Sequence, residues 1–410
     1  MLFSLFWLLW PILVASGAMG FGTAISTNDV FLMNIVSVMA GCLLPLRGIW
    51  YIILAKRSGA PLRARMFIQT AFELSFVPII ILLPRFSYNT YLFFLCLYFS
   101  FYAAVQGINA VIYFRNRVFQ YFIPAASQSI LFLAIFLGIF ILPPELKQRL
   151  VTSGSGFLLS LLGHSYLYDF LSVLIKNRRT AEIFRKISIT MPGFSGISIP
   201  YRLLSIIKSE KSDIESQAEV IFSFGAGGKD IAGHCELCVD GKTYTYGNYD
   251  PDSRAILKTM GNGIIFRAER DKYIDFLLSR GRTVAIYGLN FDDEQFSAFK
   301  NNIDAFNDIL VRWDDAEKTP ENEYIHRVLD DLNAEVYKIN EGRFKTYFLT
   351  TINCVTLTGG LLRGTNAGNT ILPGLYTPGS YMDALHRLYL ARNDVVVSVK
   401  VYDKYSYSFK

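Results

Sequence analysis

Acid is what the first 175 of these 410 residues lack: Asp29, Glu73, Glu145 and Asp169 stand there against ten Lys and Arg. The rest of the chain carries 30 acids and 30 Lys and Arg, so the formal charge of +6 belongs to the first part, where basic residues flank apolar runs. A basic surface of the kind that follows a nucleic-acid backbone is thereby excluded, and no nucleic-acid partner is expected. Cysteine is scarce too. Two of the five (Cys42, Cys96) lie in apolar segments and three (Cys235, Cys238, Cys354) beyond them, too few for a disulfide framework in a chain this long. The apolar part holds no dense acidic or histidine relay, which argues against a proton-coupled pump. The stretch from Leu2 to Gly20 lacks the positive leader of a signal peptide and is followed by further apolar runs, so it reads as a retained helix.

Long hydrophobic runs, by contrast, are plentiful. Six segments, near 2–21, 30–55, 66–84, 91–114, 118–143 and 150–175, reach the roughly 17–25 apolar residues that a membrane span needs. Helices are expected, because backbone polar groups in lipid must be satisfied within the segment. Trp7, Trp10, Trp50, Tyr51 and Tyr91 lie near segment ends and suit interfacial anchoring. Arg47, Glu73, Asn109, Gln128 and His164 inside the runs read as interhelical hydrogen-bonding or snorkelling groups, with a polar pocket for a headgroup or small solute as the alternative. Loops 56–65, 115–117 and 176–186 hold eleven Lys and Arg against three in the loops that alternate with them, which puts the following domain on the cytoplasmic side. Ile187–Ile207 is moderately apolar, but its prolines, glycines and Arg202 fit an interfacial segment better than a seventh span.

A weak repeat with a spacing near 60 residues joins Arg47–Arg57, Gln106–Asn116 and Tyr168–Asn177, one helical hairpin each time. Over residues 30–180 the arrangement resembles the HdeD-like family of six-helix bacterial membrane proteins. The expectation is a transmembrane α-helical bundle of six helices over 1–177, an interfacial linker over 178–217 and an α+β domain over 218–410.

In that last part the pattern changes to short strands with turn punctuation. Glu219–Phe224 reads as a strand, and His234–Val239, Asp240-Gly241 and Lys242–Tyr246 as a hairpin with an Asp-Gly turn. Helices are expected over 270–280, 291–313 and 323–335 and from Cys354, with strands over Arg282–Tyr287 and Val395–Tyr402. Alternation puts His234, Glu236 and Cys238 on one face of their strand and Cys235 on the other. The Cys235-x-x-Cys238 pair therefore cannot converge on one ion, and no second ligand pair completes a zinc site, so neither metal nor cofactor is expected.

Cys354 and His234 are the candidate chemistry. A thiol nucleophile needs a base within reach and a third group to orient that base. A thiol at a helix start is expected to have a lowered pKa. Continuous pairing of the hairpin would put His234 opposite Gly247, bringing Asn248 and Asp250 close enough to orient the imidazole. Asn353 and Tyr246 are the supporting candidates, and His326 and His386 are competing bases. The plain alternative is an inert buried cysteine beside a structural histidine.

Residues 218–390 resemble the permuted papain-like domain of a bacterial lipoprotein N-acyltransferase and its NlpC-type and lecithin:retinol acyltransferase-like relatives. The likeness is carried in order by Gly233-His234, Tyr244-Thr245-Tyr246-Gly247-Asn248-Tyr249-Asp250, Gly281-Arg282-Thr283-Val284 with Leu289-Asn290, Tyr347-Phe348 with Asn353-Cys354, and Leu372-Pro373-Gly374 to Thr377-Pro378. Histidine before cysteine is the mark of the permuted order. Two departures stand out: Cys235 follows the histidine, and no Thr-x-Arg follows Cys354. The resemblance implies action outside the cytoplasmic membrane, against the charge count.

Three functions are open on these residues. The first is a membrane-bound cysteine acyltransferase or lipid acyl hydrolase, whose partner is a membrane lipid or lipoprotein acyl chain in the bacterial inner membrane. The second is a thiol peptidase or amidase of cell-wall or other peptides, and the third a non-catalytic membrane sensor or scaffold.

Overall fold

The computed structural model describes residues 88–147, 215–225, 233–314, 323–369, 377–390 and 394–402. Two helices come first, α1 (Tyr88–Arg115) and α2 (Phe119–Ile141), joined by a turn at Asn116–Val118. Both are long and apolar enough to cross a membrane, which is compatible with membrane association. Large apolar side chains such as Phe93, Phe101, Ile130 and Phe140 are exposed on them, and polar side chains link the two helices. The Tyr102 hydroxyl donates to Gln128 Oε1 at 2.6 Å, and Ser129 Oγ donates to the Ala103 carbonyl at 2.8 Å. Gln128 is therefore interhelical glue, as in lipid-embedded pairs.

The six-helix bundle expected from the apolar runs is corrected here. Among the described residues two helices are long and apolar enough to span, and they stand beside a large antiparallel sheet domain. An apolar run of span length establishes that a segment can be buried, not that it forms a separate crossing. The expected spans at 2–21, 30–55, 66–84 and 150–175, the outer two repeat copies, and Arg47, Glu73 and His164 lie outside the described residues, as do Ile187–Ile207 and most of the 178–217 linker.

The second part is built on an eight-stranded sheet, ordered β10-β6-β1-β2-β3-β5-β8-β7 and antiparallel throughout. Its strands are β1 (Ala218–Phe224), β2 (His234–Val239), β3 (Lys242–Gly247), β5 (Ile264–Glu269), β6 (Thr283–Leu289), β7 (Leu310–Arg312), β8 (Glu335–Ile339) and β10 (Val396–Tyr402). β4 (Met260–Asn262) and β9 (Thr346–Phe348) form a separate two-stranded ladder. Helices cover both faces. One face carries α4 (Asp293–Asn307), α6 (Cys354–Leu361) and α7 (Pro378–Leu390), packed on Val220, Phe222, Leu237, Tyr246, Ile265 and Tyr287. The other carries α3 (Arg270–Ser279) and α5 (Glu323–Leu332), packed on Ile221, Cys238, Phe266, Val284 and Ile286. Strands covered on both sides read as continuous apolar runs rather than alternating ones. That is why β5, with its Ile264-Ile265-Phe266 core, escaped a search for alternation.

The expected helix over 291–313 divides. Asp292 caps α4, its Oδ1 accepting from the Gln295 N–H at 2.8 Å, and the helix ends at Asn307, after which Leu310–Arg312 pairs with β8. The helix expected over 323–335 stops at Leu332, where Asn333 takes a left-handed φ of 47° and releases the chain into β8.

The two parts meet at one seam. Val105, Ala110, Ile112 and Tyr113 of α1 and Ala125 of α2 bury against Phe348 and Ile352, at the end of β9 and in the loop before α6. The Thr351 hydroxyl donates to Asn109 Oδ1 at 2.6 Å, with both residues buried, and the Arg343 guanidinium lies 5.1 Å over the Tyr121 ring. Asn109 thus serves the seam rather than a neighbouring span.

Candidate functional site

The residues before α6 fix its start tightly. Ile352 N–H donates to Phe348 O at 2.8 Å and Phe348 N–H to Ile352 O at 2.9 Å, closing a loop directly before Asn353, the N-cap. Asn353 Oδ1 accepts from Thr356 N–H at 3.1 Å, and Thr356 Oγ1 accepts from Asn353 N–H at 2.9 Å. This reciprocal capping box satisfies two donors at a helix end. Asn353 Nδ2 also donates to Leu349 O at 3.0 Å, so its described bonds hold the helix start.

Cys354 is the first helical residue and is 5% exposed. Burial pushes its thiol up to about 12, and the nearby Glu236 carboxyl adds to that rise; the backbone N–H groups of Cys235, Val355 and Cys354 itself pull the other way without prevailing. The lowered pKa expected of a helix start is therefore corrected. Desolvation of a small anion in a closed core outweighs the dipole of a two-turn helix.

The seat of the thiol lies where two strands part. β2 pairs with β3 only from Val239↔Lys242 to Leu237↔Tyr244. Beyond that, β2 is held by β1 as far as Ser223↔His234, and β3 by β5 as far as Gly247↔Ile264. The expected continuous pairing of His234 with Gly247 does not form. α6 packs on both strands at this end, and its thiol rests against the β2 backbone at Cys235, the residue next to His234.

On the opposite face of β2, a cavity of about 330 Å3 is lined by His234, Glu236, Ser223, Tyr249, Tyr273 and Arg282, among others. His234 Nε2 lies 3.4 Å from the Tyr249 hydroxyl. Glu236 is fully buried and accepts from Tyr273 OH at 2.8 Å and Ser223 Oγ at 3.2 Å. Tyr249 stacks on Tyr324, and burial holds its phenol well above the ordinary tyrosine range. A neutral phenol here donates to or accepts from the imidazole according to the ring's tautomer.

The structure thus brings Cys354 and the backbone beside His234 together, but the two side chains belong to opposite faces, and among the described residues no hydrogen bond joins them. Asn248 lines the same cavity as His234, with Nδ2 donating to Lys258 O at 3.3 Å and Met260 O at 3.2 Å. Asp250 accepts from Asn262 Nδ2 at 2.8 Å and pairs with Lys338 Nζ at 3.1 Å. Burial raises its carboxyl, but the Asn262 hydrogen bond and the Lys338 ammonium together hold it below the usual range. These described bonds tie Asn248 and Asp250 into their own loop, and Tyr249 between them is the one that reaches His234. Tyr246 walls the thiol's side, its hydroxyl donating to Phe344 O at 2.9 Å and its ring 5.3 Å from Tyr347.

The remaining candidates are dispersed. Cys235 Sγ donates to Thr358 Oγ1 at 3.6 Å on the Cys354 face, while Cys238 lies in the opposite core. Among the described residues no group of three or more metal-ligating side chains forms. His386 is buried in α7 against Tyr287 and Tyr389, and burial, helped by Arg387, holds it down to about 3. His326 lies on α5, across the sheet from Cys354. Tyr249 and Tyr273 escaped sequence reasoning because a tyrosine in a strand or helix is usually core. Glu236 carried a signal, a carboxyl two residues from His234 on the same face. No family model matches this chain, and no curated protein and no solved structure matches it.

Proposed function

We propose that this chain is a membrane-bound thiol acyltransferase or acyl hydrolase, with Cys354 as nucleophile and His234 as base. The observation that carries the reading is the seat of Cys354. Its sulfur lies at the capped start of α6, against the β2 backbone one residue from a cavity-lining imidazole, in a segment bound to two span-length helices. The motif order from Gly233-His234 to Asn353-Cys354, which resembles the permuted papain-like acyltransferases, supports the same assignment.

In the reaction the imidazole takes the Cys354 proton as sulfur bonds to an ester carbonyl carbon. The backbone N–H groups at the start of α6 are the donors available to the oxyanion. Collapse of the tetrahedral adduct breaks the ester C–O bond, the imidazolium returns its proton to the leaving alcohol, and an acyl thioester remains on Cys354. An amine or water then attacks that thioester and regenerates the thiol. The resting thiol is neutral, so proton transfer has to accompany attack, and His234 has to turn from Tyr249 toward the opening between β2 and β3. Catalytic hydrogen bonds commonly tighten only once substrate binds.

Arg115 ends α1 and Arg117 lies in the α1–α2 turn, at the end where the sheet domain docks. By the positive-inside rule this favours a cytoplasmic domain on an inner membrane.

A second reading, a binding domain that keeps the fold without the chemistry, is favoured by the burial of Cys354 and the absence of a described bond to His234. A lipid-like thiol-reactive probe separates the two. Mass spectrometry of the treated protein is expected to find the adduct on Cys354, slowed several-fold by His234→Gln and lost in Cys354→Ala. Labelling indifferent to His234, or confined to other cysteines, would favour the binding domain.

A further inference from the structure

Between the candidate site and the helix pair lies a short hairpin with an unusual tip. Ala255 N–H donates to Met260 O at 2.8 Å and Met260 N–H to Ala255 O at 3.2 Å, closing a loop of four residues, Ile256 to Thr259. Ile256, Leu257 and Lys258 all take left-handed φ values, 46°, 53° and 65°. A β-branched residue in that region is a genuine outlier. The strained backbone presents apolar side chains outward: Leu257 is 95% exposed and Ile256 45%. A single exposed leucine needs no explanation. Two adjacent aliphatic residues on three consecutive strained positions do, since a polar turn would satisfy the same hydrogen bonds.

The base of this hairpin belongs to the seam with the helices. Met260 packs into the cluster that joins Phe348 and Ile352 to Ile108, Tyr113 and Phe122. Leu349, itself 49% exposed, donates its N–H to Thr259 O at 3.0 Å. Beside the seam, Val111, Phe114 and Phe119 are exposed on the helix pair. The tip is thus apolar, exposed and tied through Met260 to the seam with the span-length helices. The helices set the level. α2 is about 35 Å long against a hydrocarbon core of about 30 Å. Met260, at the base of the hairpin, packs in one cluster with Tyr121, Phe122, Ala125 and Ala126 from the first two turns of that helix, so the hairpin stands at one end of the span.

We propose that Ile256 and Leu257 insert into the acyl-chain layer of the bilayer beside α1 and α2, with Lys258 and Arg254 at headgroup level. The cations suit that depth, because their stems tolerate apolar surroundings while their heads reach anionic lipid. The inference deepens the proposed function and rests on α1 and α2 spanning a membrane. Arg254 lines the His234 cavity, and Asn248, which also lines it, clamps the carbonyls of Lys258 and Met260. Insertion of the tip would thus set the cavity mouth at the lipid surface, where a substrate can keep its chain in the bilayer.

The test uses the full-length protein in vesicles of phosphatidylcholine and phosphatidylglycerol, with an environment-sensitive fluorophore on single introduced cysteines. Leu257→Cys reports the tip, Ile130→Cys the exposed face of α2, and Asp271→Cys a solvent-exposed position on α3; protein without an introduced cysteine supplies the background. A nitroxide placed high on the lipid acyl chain is expected to quench the Leu257 probe several-fold more than the Asp271 probe, with a blue-shifted emission. If Ile130 is quenched from the lipid while Leu257 answers only to aqueous iodide, as Asp271 does, the inserted tip is overturned and the helices stand. If Ile130 also escapes the lipid quencher, the membrane-spanning reading fails and the tip with it.

Discussion

Cys354 shows how one residue can satisfy a sequence pattern and still depart from its chemistry. Its place at the start of a helix was legible from Asn353-Cys354, because an asparagine before an apolar run is a capping signal. Its protonation was not, because desolvation depends on what packs around the thiol, and Tyr246 and Cys235 come from strands far earlier in the chain. The thiol's rise from 9.0 to about 12 has a defined consequence. Folding favours the neutral thiol, so this group's contribution to stability is complete below its ordinary value of 9.0 and is lost as pH rises from there toward about 12. Alkylation of Cys354 by a small neutral reagent in substrate-free protein is expected to rise about tenfold per pH unit through the alkaline range, since only thiolate reacts. A plateau near neutral pH would mean that an ion pair with an imidazolium already exists at rest. Asn248 and Asp250 teach a different point. Asn248 does line the cavity with His234, although the pairing expected to bring it there does not form, and which groups Asn248 and Asp250 bond to was decided by the Lys258 and Met260 carbonyls, Asn262 and Lys338.

Among the elements, the β2–β3 hairpin and α6 were legible because each begins with a local signal, Asp240-Gly241 and Asn353. Strands β5 and β8 were not, since a strand buried on two faces or lying directly after a helix has no period of its own. Nor does periodicity within β2 say on which side α6 will lie, and that left the Cys354 and His234 faces undetermined. The seam with the helix pair is the element-scale feature that matters most for the site. Thr351→Val takes the donor from the buried Asn109 Oδ1, and Asn109→Ala strands the Thr351 hydroxyl; either is expected to cost about 1–3 kcal/mol. In a double-mutant cycle the pair should couple, because the two effects share one hydrogen bond. Thermal unfolding in detergent measures the cost, and a fall in probe labelling of Cys354 in the same variants would show that the seam positions the helix start. Full labelling in a destabilised variant would limit the seam to anchoring.

For the whole molecule, apolar length was visible from the sequence, but the arrangement was not. Hydropathy distinguishes runs that can be buried from those that cannot, and two such runs among the described residues form span-length helices. What it does not contain is the docking of an eight-stranded sheet domain onto those helices through the loop that leads into Cys354. That docking is what ties the proposed acyl chemistry of Cys354 to a lipid surface. The central claim is that Cys354 carries an acyl group during turnover, and direct detection of that group tests it. The reconstituted protein, incubated with phospholipid, quenched in acid and digested, is expected to yield a peptide containing Cys354 with the added mass of one fatty acyl chain, released by neutral hydroxylamine and missing in Cys354→Ala. Folded protein that binds the same vesicles yet yields only unmodified Cys354, with rapid quenching and with product accumulating, would contradict the account.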